Sequence, residues 1–332
     1  MPDLRTRKLG VASTILQGLG IYAMVLVLTV AGAFISPKFL TADNLLNIVD
    51  GVMLLGIVAV GVAFVTYSGH YADLSVPTTM AFSGVIAVEM LRFGIVASLL
   101  SGLVAGLAIG LVNACVIGKI RANPIIWTLA VSYVTKGLMR WIWLNRQIYP
   151  DVKGGETGAG RLFVALYRHD VLGRITLPMV VLVVLVVAGQ FVLKRTAFGQ
   201  HLKLVGSNAA MARLTGVDVA WTTGVAFVLS SLAAAVGGIL ITSLSKVGAY
   251  YNGEGYDFDA VTAIVIGGMT LAGGRGDIVG VLGGVLVLGL MSNVMTLLGI
   301  DTFSQRIVKG IVFIAVVGIS ARSLRNLGRD DA

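Results

Sequence analysis

The chain has 332 residues, of which 57% are hydrophobic and 12% are charged, and its mean hydropathy is +0.92. A soluble domain carries about 25% charged residues, so this composition excludes an ordinary soluble protein. The formal net charge of +9 is typical of basic cytoplasmic loops in a membrane protein and does not require nucleic acid as a partner. Cys115 is the only cysteine, which excludes a disulfide framework within the chain.

Apolar runs recur along the whole chain, and each approaches the roughly 20 residues that a helix needs to cross a bilayer. They predict an all-α polytopic membrane protein with about ten transmembrane helices in one domain over residues 1–332. The third and fourth runs are nearly contiguous, so nine or eleven spans also fit. The predicted spans are 15–36, 50–67, 74–92, 94–117, 124–144, 174–193, 220–244, 257–272, 278–299 and 303–320.

Basic residues set the predicted orientation. With the amino terminus inside, most Lys and Arg residues fall in cytoplasmic segments, among them Lys119, Arg121 and Arg213, as the positive-inside rule requires. Both termini are therefore expected in the cytoplasm, as short tails over about 1–14 and 321–332, and membrane lipid surrounds the spans.

The stretch TYSGHYADLSVPTTM, residues 66–80, interrupts two apolar runs with polar residues and a proline. It predicts a broken helix near 68–77. Asp73 either caps the helix that follows or contacts a solute in a pathway, since an ionisable group between spans is a functional candidate. Ser75 has the same two interpretations, and Pro77 is tolerated in a first helical turn.

Three further polar residues lie inside predicted spans: Asn113, Thr128 and Asn293. Each either hydrogen-bonds across helices or lines a pathway. The cations Lys136 and Lys309 are expected to reach the interface or to pair internally.

A short helix is predicted near 207–215, in the cytoplasmic loop 194–219. Ser207 or Asn208 can cap its amino terminus, and Gly216 suits the left-handed position after its end. Arg213 and Leu214 lie on its last turn. Such a helix either docks in a groove of another protein or lies on lipid headgroups, and the residues alone favour neither.

Six glycines punctuate the end of the eighth span and the start of the ninth, where glycine permits sharp turns and close helix approach. The phosphate-binding pattern GxxxxGK[ST] is absent from the chain, so no ATP site of that type is expected. SGHYADLSV (68–76) aligns with AGGRGDIVG (272–280), either as an internal repeat or by chance. The six residues of this glycine loop are Gly267, Gly268, Gly273, Gly274, Gly276 and Gly280.

Several segments resemble the membrane permease subunits of ribose-type (carbohydrate uptake) ABC importers, in the branched-chain amino acid/sugar permease superfamily. The resemblance covers nearly the whole chain. Its segments are FLTADNLLNIVDGVMLLGIVAVGVAFVTYSG from Phe39, DLSV at 73–76, GLVNACVIGKIRANPIIWTLAVSYVTKGL from Gly110, GSNAAMARLTGV from Gly206, and AVTAIVIGGMTLAGGRGDIVGVLGGVLVLGLMSN from Ala260.

The resemblance implies a permease for a sugar or sugar-like solute in the bacterial inner membrane, with no enzymatic activity of its own. It implies three partners: an ATPase subunit that holds ATP-Mg, a solute-binding protein outside, and a second permease copy or paralogue. The short helix becomes the coupling helix that docks in the ATPase. The positions that match the family's coupling loop are Gly206, Asn208, Ala212, Arg213 and Gly216.

The chain departs from the family around Asp73, where His70, Tyr71, Ala72 and Pro77 replace glycine-rich neighbours. Two other classes remain open. A stand-alone secondary transporter or channel would need buried carboxylates for a coupling ion, and the spans carry few. An intramembrane enzyme is the more distant alternative, because the spans hold no paired catalytic residues.

Overall fold

The computed structural model describes residues 4–151, 158–168, 170–172 and 175–327. Helices account for nearly all of the regular structure in these ranges, and one short antiparallel pair of strands lies between α6 and α7. The elements are α1 Leu4–Ile35, α2 Ala42–Tyr67, α3 Val76–Glu89, α4 Ile95–Asn113, α5 Pro124–Ile142, α6 Ala159–Ala165, β1 Asp170–Leu172, β2 Ile175–Thr176, α7 Leu177–Arg195, α8 Ala197–Ser207, α9 Ala209–Leu214, α10 Val219–Ser245, α11 Tyr256–Ile266, α12 Ile278–Leu297 and α13 Thr302–Leu327.

Among the described residues, six helices are long and apolar enough to cross a membrane: Ala42–Tyr67, Val76–Phe93, Ile95–Ile120, Leu177–Arg195, Val219–Ser245 and Ile278–Leu297. The all-α membrane class is thus confirmed, while a count of ten spans stays a prediction. Helices α1, α5, α11 and α13 overlap the other four predicted spans. Charged residues interrupt α5 and α13, and α11 has only 11 residues.

Several helix bounds differ from the predicted spans. Helix α1 begins at Leu4 and α13 ends at Leu327, so helix extends over part of each predicted tail. Residues 1–3 and 328–332 of those tails lie outside the described residues. Helix α2 begins at Ala42 because the Thr41 side chain accepts from the Asn44 amide and caps it. The polar residues of that first turn hide its start from a search for apolar runs.

Helix α10 is the central element, packed against α2, α3 and α4. Its neighbours approach closely because small residues line the contacts. A Cβ on Gly84 of α3 would overlap the Thr242 side chain of α10, and one on Gly61 of α2 would overlap Ala233. Helix α2 is buried along most of its length, so these contacts form the interior of the bundle.

Candidate functional site

Helix α2 ends at Tyr67 and α3 begins at Val76. We call the non-helical residues 68–75 between them the joint. Asp73 lies in the joint with 1% of its surface exposed. Its Oδ1 accepts from the backbone N–H of Ser75 at 3.0 Å and from the Ser75 hydroxyl, and its Oδ2 accepts from the Ser230 hydroxyl of α10 at 2.9 Å. The carboxylate is therefore buried and bonded to three donors.

Two more helices hold the joint. The Asn113 Nδ2 of α4 donates to the Ser75 hydroxyl at 2.9 Å, and the Thr128 hydroxyl of α5 accepts from the Leu74 N–H at 3.0 Å. Four predicted pathway residues, Asp73, Ser75, Asn113 and Thr128, thus share one hydrogen-bonded cluster. Asp73, Ser75 and Asn113 bond one another through their side chains, and Thr128 joins them through the Leu74 backbone, so the cluster connects α3, α4, α5 and α10.

Asp73 lies near the start of α3 but does not cap it in the way that the sequence suggested. Ser75 is the N-cap residue of α3, and its side chain makes no capping bond. Asp73 instead accepts from the amide two residues ahead, which is the geometry of an Asx-turn. Pro77 lies in the first turn as expected, where no helical N–H is lost.

The joint also touches the glycine loop with which it aligns in sequence. Gly69 and Gly273 have positive φ angles of 87° and 86°. A Cβ on Gly273 would lie 2.6 Å from the Gly69 Cα and 2.9 Å from the Gly206 Cα. The Gly274 N–H donates to the Tyr67 carbonyl at 2.8 Å. Three backbone segments therefore meet here with no room for side chains, whether or not the alignment marks a repeat.

The remaining glycines of the loop shape the turn from α11 to α12. A Cβ on Gly267 would lie 2.6 Å from the Gly280 carbonyl oxygen, so these two residues set the distance between the helices. Gly268 and Gly276 adopt φ angles of 82° and 119°, which other residues rarely do. Asp277 caps α12 by accepting from the Gly280 N–H at 2.7 Å.

Helix α9 occupies the position of the predicted short helix. Asn208 caps it, since its Oδ1 accepts from the amides of Ala210 and Met211 at 3.0 Å each. Ser207, the alternative cap, is the last residue of α8. Gly216 adopts φ 82° after its end, as expected.

The two faces of α9 differ. Ala212 is buried beside Val205 and Val217, whereas Met211 is 57% and Leu214 81% exposed. This six-residue helix is therefore anchored on one face and exposes large apolar side chains on the other.

A cavity of about 940 Å³ connects α9 to the joint, and we call it the α9 cavity. Asn208 and Arg213 line it on one side and His70 on the other. The His70 Nδ1 and the Ser68 hydroxyl are hydrogen-bonded at 2.8 Å, and the ring packs edge-on against Phe227 at 5.8 Å between centroids. His70 therefore forms part of the cavity wall at the joint.

Asn293, the fifth predicted pathway residue, lies away from the joint. Its side-chain amide pairs reciprocally with that of Asn44 at 2.8 and 3.0 Å. Both residues line a second cavity of about 1090 Å³ beside α13, the α13 cavity. Lys309 of α13 bonds Asp259 of α11 there at 2.8 Å, which is the internal pairing expected for that cation.

Sequence reasoning missed the partners of these residues. Ser230 was overlooked, although two adjacent serines in the apolar α10 were a usable signal. Asn44 and Glu254 fell outside the predicted spans and Asp259 fell at the start of one, where polar residues need no explanation. Lys136 meets Glu254 at 2.7 Å across 118 positions of sequence, a separation from which no local pattern predicts pairing.

Comparison with known proteins places the chain in a family. Residues 44–317 match the family described as branched-chain amino acid transport system / permease component. The Ribose import permease protein RbsC of Bacillus subtilis (strain 168) is 35% identical over 308 residues, which are 91% of this chain and 92% of the relative. The L-arabinose transport system permease protein AraH of Escherichia coli (strain K12) is 33% identical over 305 residues, 90% of this chain and 88% of the relative. No solved structure matches the chain significantly.

Six helices long and apolar enough to cross a membrane, among the described residues, agree with this match. The chain belongs to the branched-chain amino acid transport system permease family. It is therefore a multi-pass membrane permease and not an enzyme. A permease component works together with the other components of its transport system.

Proposed function

We propose that this chain is the transmembrane subunit of an ATP-driven sugar importer in the bacterial inner membrane. Two relatives that align with about nine tenths of it are named for ribose import and L-arabinose transport. Residues 1–332 form one permease domain with about ten spans, a broken helix at the joint and both termini in the cytoplasm. Helices over all ten predicted segments and the basic loops support this topology.

Helix α9 is the coupling helix that docks on a separate ATPase subunit. The supporting observation is that α9 and the joint line the same cavity. Gly206, one residue before the end of α8, would collide with the Tyr67 carbonyl if it carried a Cβ. Rigid contact of this kind transmits a displacement of α9 to the joint, because packed backbones have no slack to absorb it.

The rest of the system follows from this role. ATP-Mg binds in the partner ATPase, and this chain needs no cofactor. A solute-binding protein delivers sugar from outside, and a second permease copy or a paralogue completes the pathway within the lipid bilayer.

The test is uptake of radiolabelled ribose and L-arabinose by proteoliposomes that contain the permease, its ATPase subunit and the binding protein. We expect uptake that requires ATP and both partners. Uptake by this chain alone, driven by an ion gradient, would contradict the proposal and identify a secondary transporter instead.

A further inference from the structure

The α13 cavity is separate from the joint and from α9, and the proposed coupling role does not use it. It lies between α2, α11, α12 and α13. Its volume of about 1090 Å³ is near the upper end of the roughly 300–1000 Å³ typical of small-molecule sites. It is therefore large enough for a single sugar with accompanying water.

The wall of this cavity is mainly apolar, and several polar groups converge on it near the helix ends. Asp259 and Lys309 form their 2.8 Å pair with about a quarter of each side chain exposed. Arg306, Gln305 and Ser292 add further hydrogen-bonding groups. A few convergent polar groups on a mainly apolar wall can fix the orientation of a small polar ligand.

The formal charge of the described lining is balanced. Glu254 and Asp259 supply two negative charges, and Arg306 and Lys309 supply two positive charges, so the sum is zero. A site for a phosphorylated or carboxylated sugar would require an excess of positive charge. Balanced charge instead favours a neutral solute with many hydroxyl groups.

The hydrogen-bonding groups are held in place but keep free capacity. The Asn44 and Asn293 amides bond each other through one N–H and one oxygen lone pair each, so the Asn293 amide retains a donor and an acceptor. The Lys309 ammonium has three N–H donors, and the Asp259 carboxylate has about four acceptor positions. Their mutual bond uses one of each.

An aromatic surface completes the site. Phe258 is 54% exposed, lines the cavity and packs edge-on against Phe313 at 5.6 Å. The edge contact fixes the ring while leaving a face open. The C–H face of a sugar ring fits against such a surface.

We propose that the α13 cavity binds one neutral monosaccharide, with Asp259, Lys309 and Asn293 bonding its hydroxyls and Phe258 packing on its ring. The choice of sugar as ligand rests on the proposed importer function. The site itself requires neither the ATPase nor the binding protein.

The experiment uses thiol labelling of the full chain in nanodiscs. Cys115, the only cysteine, is first replaced by serine, and Ser292→Cys then places a thiol in the cavity. We expect a charged, water-soluble thiosulfonate to label it. Ribose or L-arabinose at about ten times its half-protecting concentration should slow labelling roughly tenfold, because free sites fall in that proportion. Ribose 5-phosphate should not protect.

Two variants and one control make the result specific. Phe258→Ala, at an exposed ring, and Asn293→Ala, at a partly buried amide, should each remove protection while the protein elutes as a folded species. Ser245→Cys at the exposed end of α10 should label without protection by sugar. The proposal is overturned if Ser292→Cys does not label, if neither sugar protects, if ribose 5-phosphate protects equally, or if both variants keep full protection. ATP-driven uptake in the absence of protection would refute the site alone and leave the importer function intact.

Discussion

The Ser230 hydroxyl of α10 donates to the Asp73 carboxylate at 2.9 Å and so ties the joint between α2 and α3 to the central helix. Asp73 has no cationic partner among the contacts that the structure describes for it. Its stability comes from hydroxyl and amide donors, and charge-assisted bonds of this kind are about twice as strong as neutral ones. The joint is thus held by a few short bonds rather than by packing alone.

Asp73→Ala should lower the free energy of unfolding by roughly 3 kcal/mol, because it leaves buried donors unsatisfied at about 1–3 kcal/mol each. Asp73→Asn keeps an acceptor and should cost less than half as much. The measurement is the thermal unfolding midpoint in nanodiscs. Asp43→Ala removes an exposed acid from the first turn of α2 and serves as the control. Equal midpoints for the Asp73 and Asp43 variants would show that the buried bonds contribute nothing.

Gly206→Ala should prevent stable folding or cost more than about 2 kcal/mol, since its Cβ would lie 2.6 Å from the Gly274 nitrogen and overlap the Tyr67 carbonyl. The matched control is Gly137→Ala in α5, where a Cβ meets open space. That control should be neutral or stabilising by up to about 1 kcal/mol. The measurements are the purification yield and the thermal unfolding midpoint of the Gly206 and Gly137 variants. Equal values would mean that the backbone around Gly206 moves easily to accept a Cβ.

Arg213→Glu combined with Leu214→Asp should abolish co-purification with the ATPase subunit while leaving the permease folded. Leu214 is 81% exposed, so its replacement removes contact surface and no core packing. The control applies the same kind of change to α8, as Lys203→Glu with Leu204→Asp. If the α9 variant binds the ATPase as well as the unaltered permease does, α9 is not the docking helix.

The sequence was informative where structure depends on a few neighbouring residues. Asn208 and Gly216 define the ends of α9 through bonds that span three residues, so capping rules located the helix. Helix α8 was missed because its hydropathy is as low as that of a loop. Only the Thr196 cap marks its start. Capping bonds join residues close in sequence, so they do not depend on how the helices pack.

The site was predictable only in part, because its geometry is set by distant segments. Asp73 and Asn113 were identified individually as polar groups in apolar surroundings. Their common contact with Ser75 depends on how α3 and α4 pack, which no periodicity reveals. Asn293 carried the same sequence signal and yet lies in the α13 cavity, away from the joint. Composition can thus mark a polar residue but cannot assign it to a site.

A double-mutant cycle on Asp259 and Lys309 should give a coupling energy of about 1–2 kcal/mol, because the 2.8 Å pair is largely shielded from solvent. Glu89 and Arg92 supply the comparison at 4.0 Å, with 34% and 62% of their side chains exposed. Their coupling should stay below about 0.5 kcal/mol. The variants are Asp259→Asn with Lys309→Met, and Glu89→Gln with Arg92→Met. Each replacement keeps a similar side-chain size and removes the charge. Equal coupling in the two cycles would mean that the α13 cavity is as hydrated as the surface.

His70→Gly tests how the joint departs from the glycine-rich pattern of the family. The His70 ring lines the α9 cavity and is held by Ser68 and Phe227. Its removal should free the joint and raise the ATP-driven uptake rate by about fivefold, the equivalent of one hydrogen bond of ~1 kcal/mol. The ratio of ribose to L-arabinose uptake should not change, because the ring fastens the joint and does not select the solute. Tyr71→Gly, at a residue 56% exposed, is the matched control and should leave the rate nearly unaltered. A changed ratio in the His70 variant would instead make His70 a solute contact.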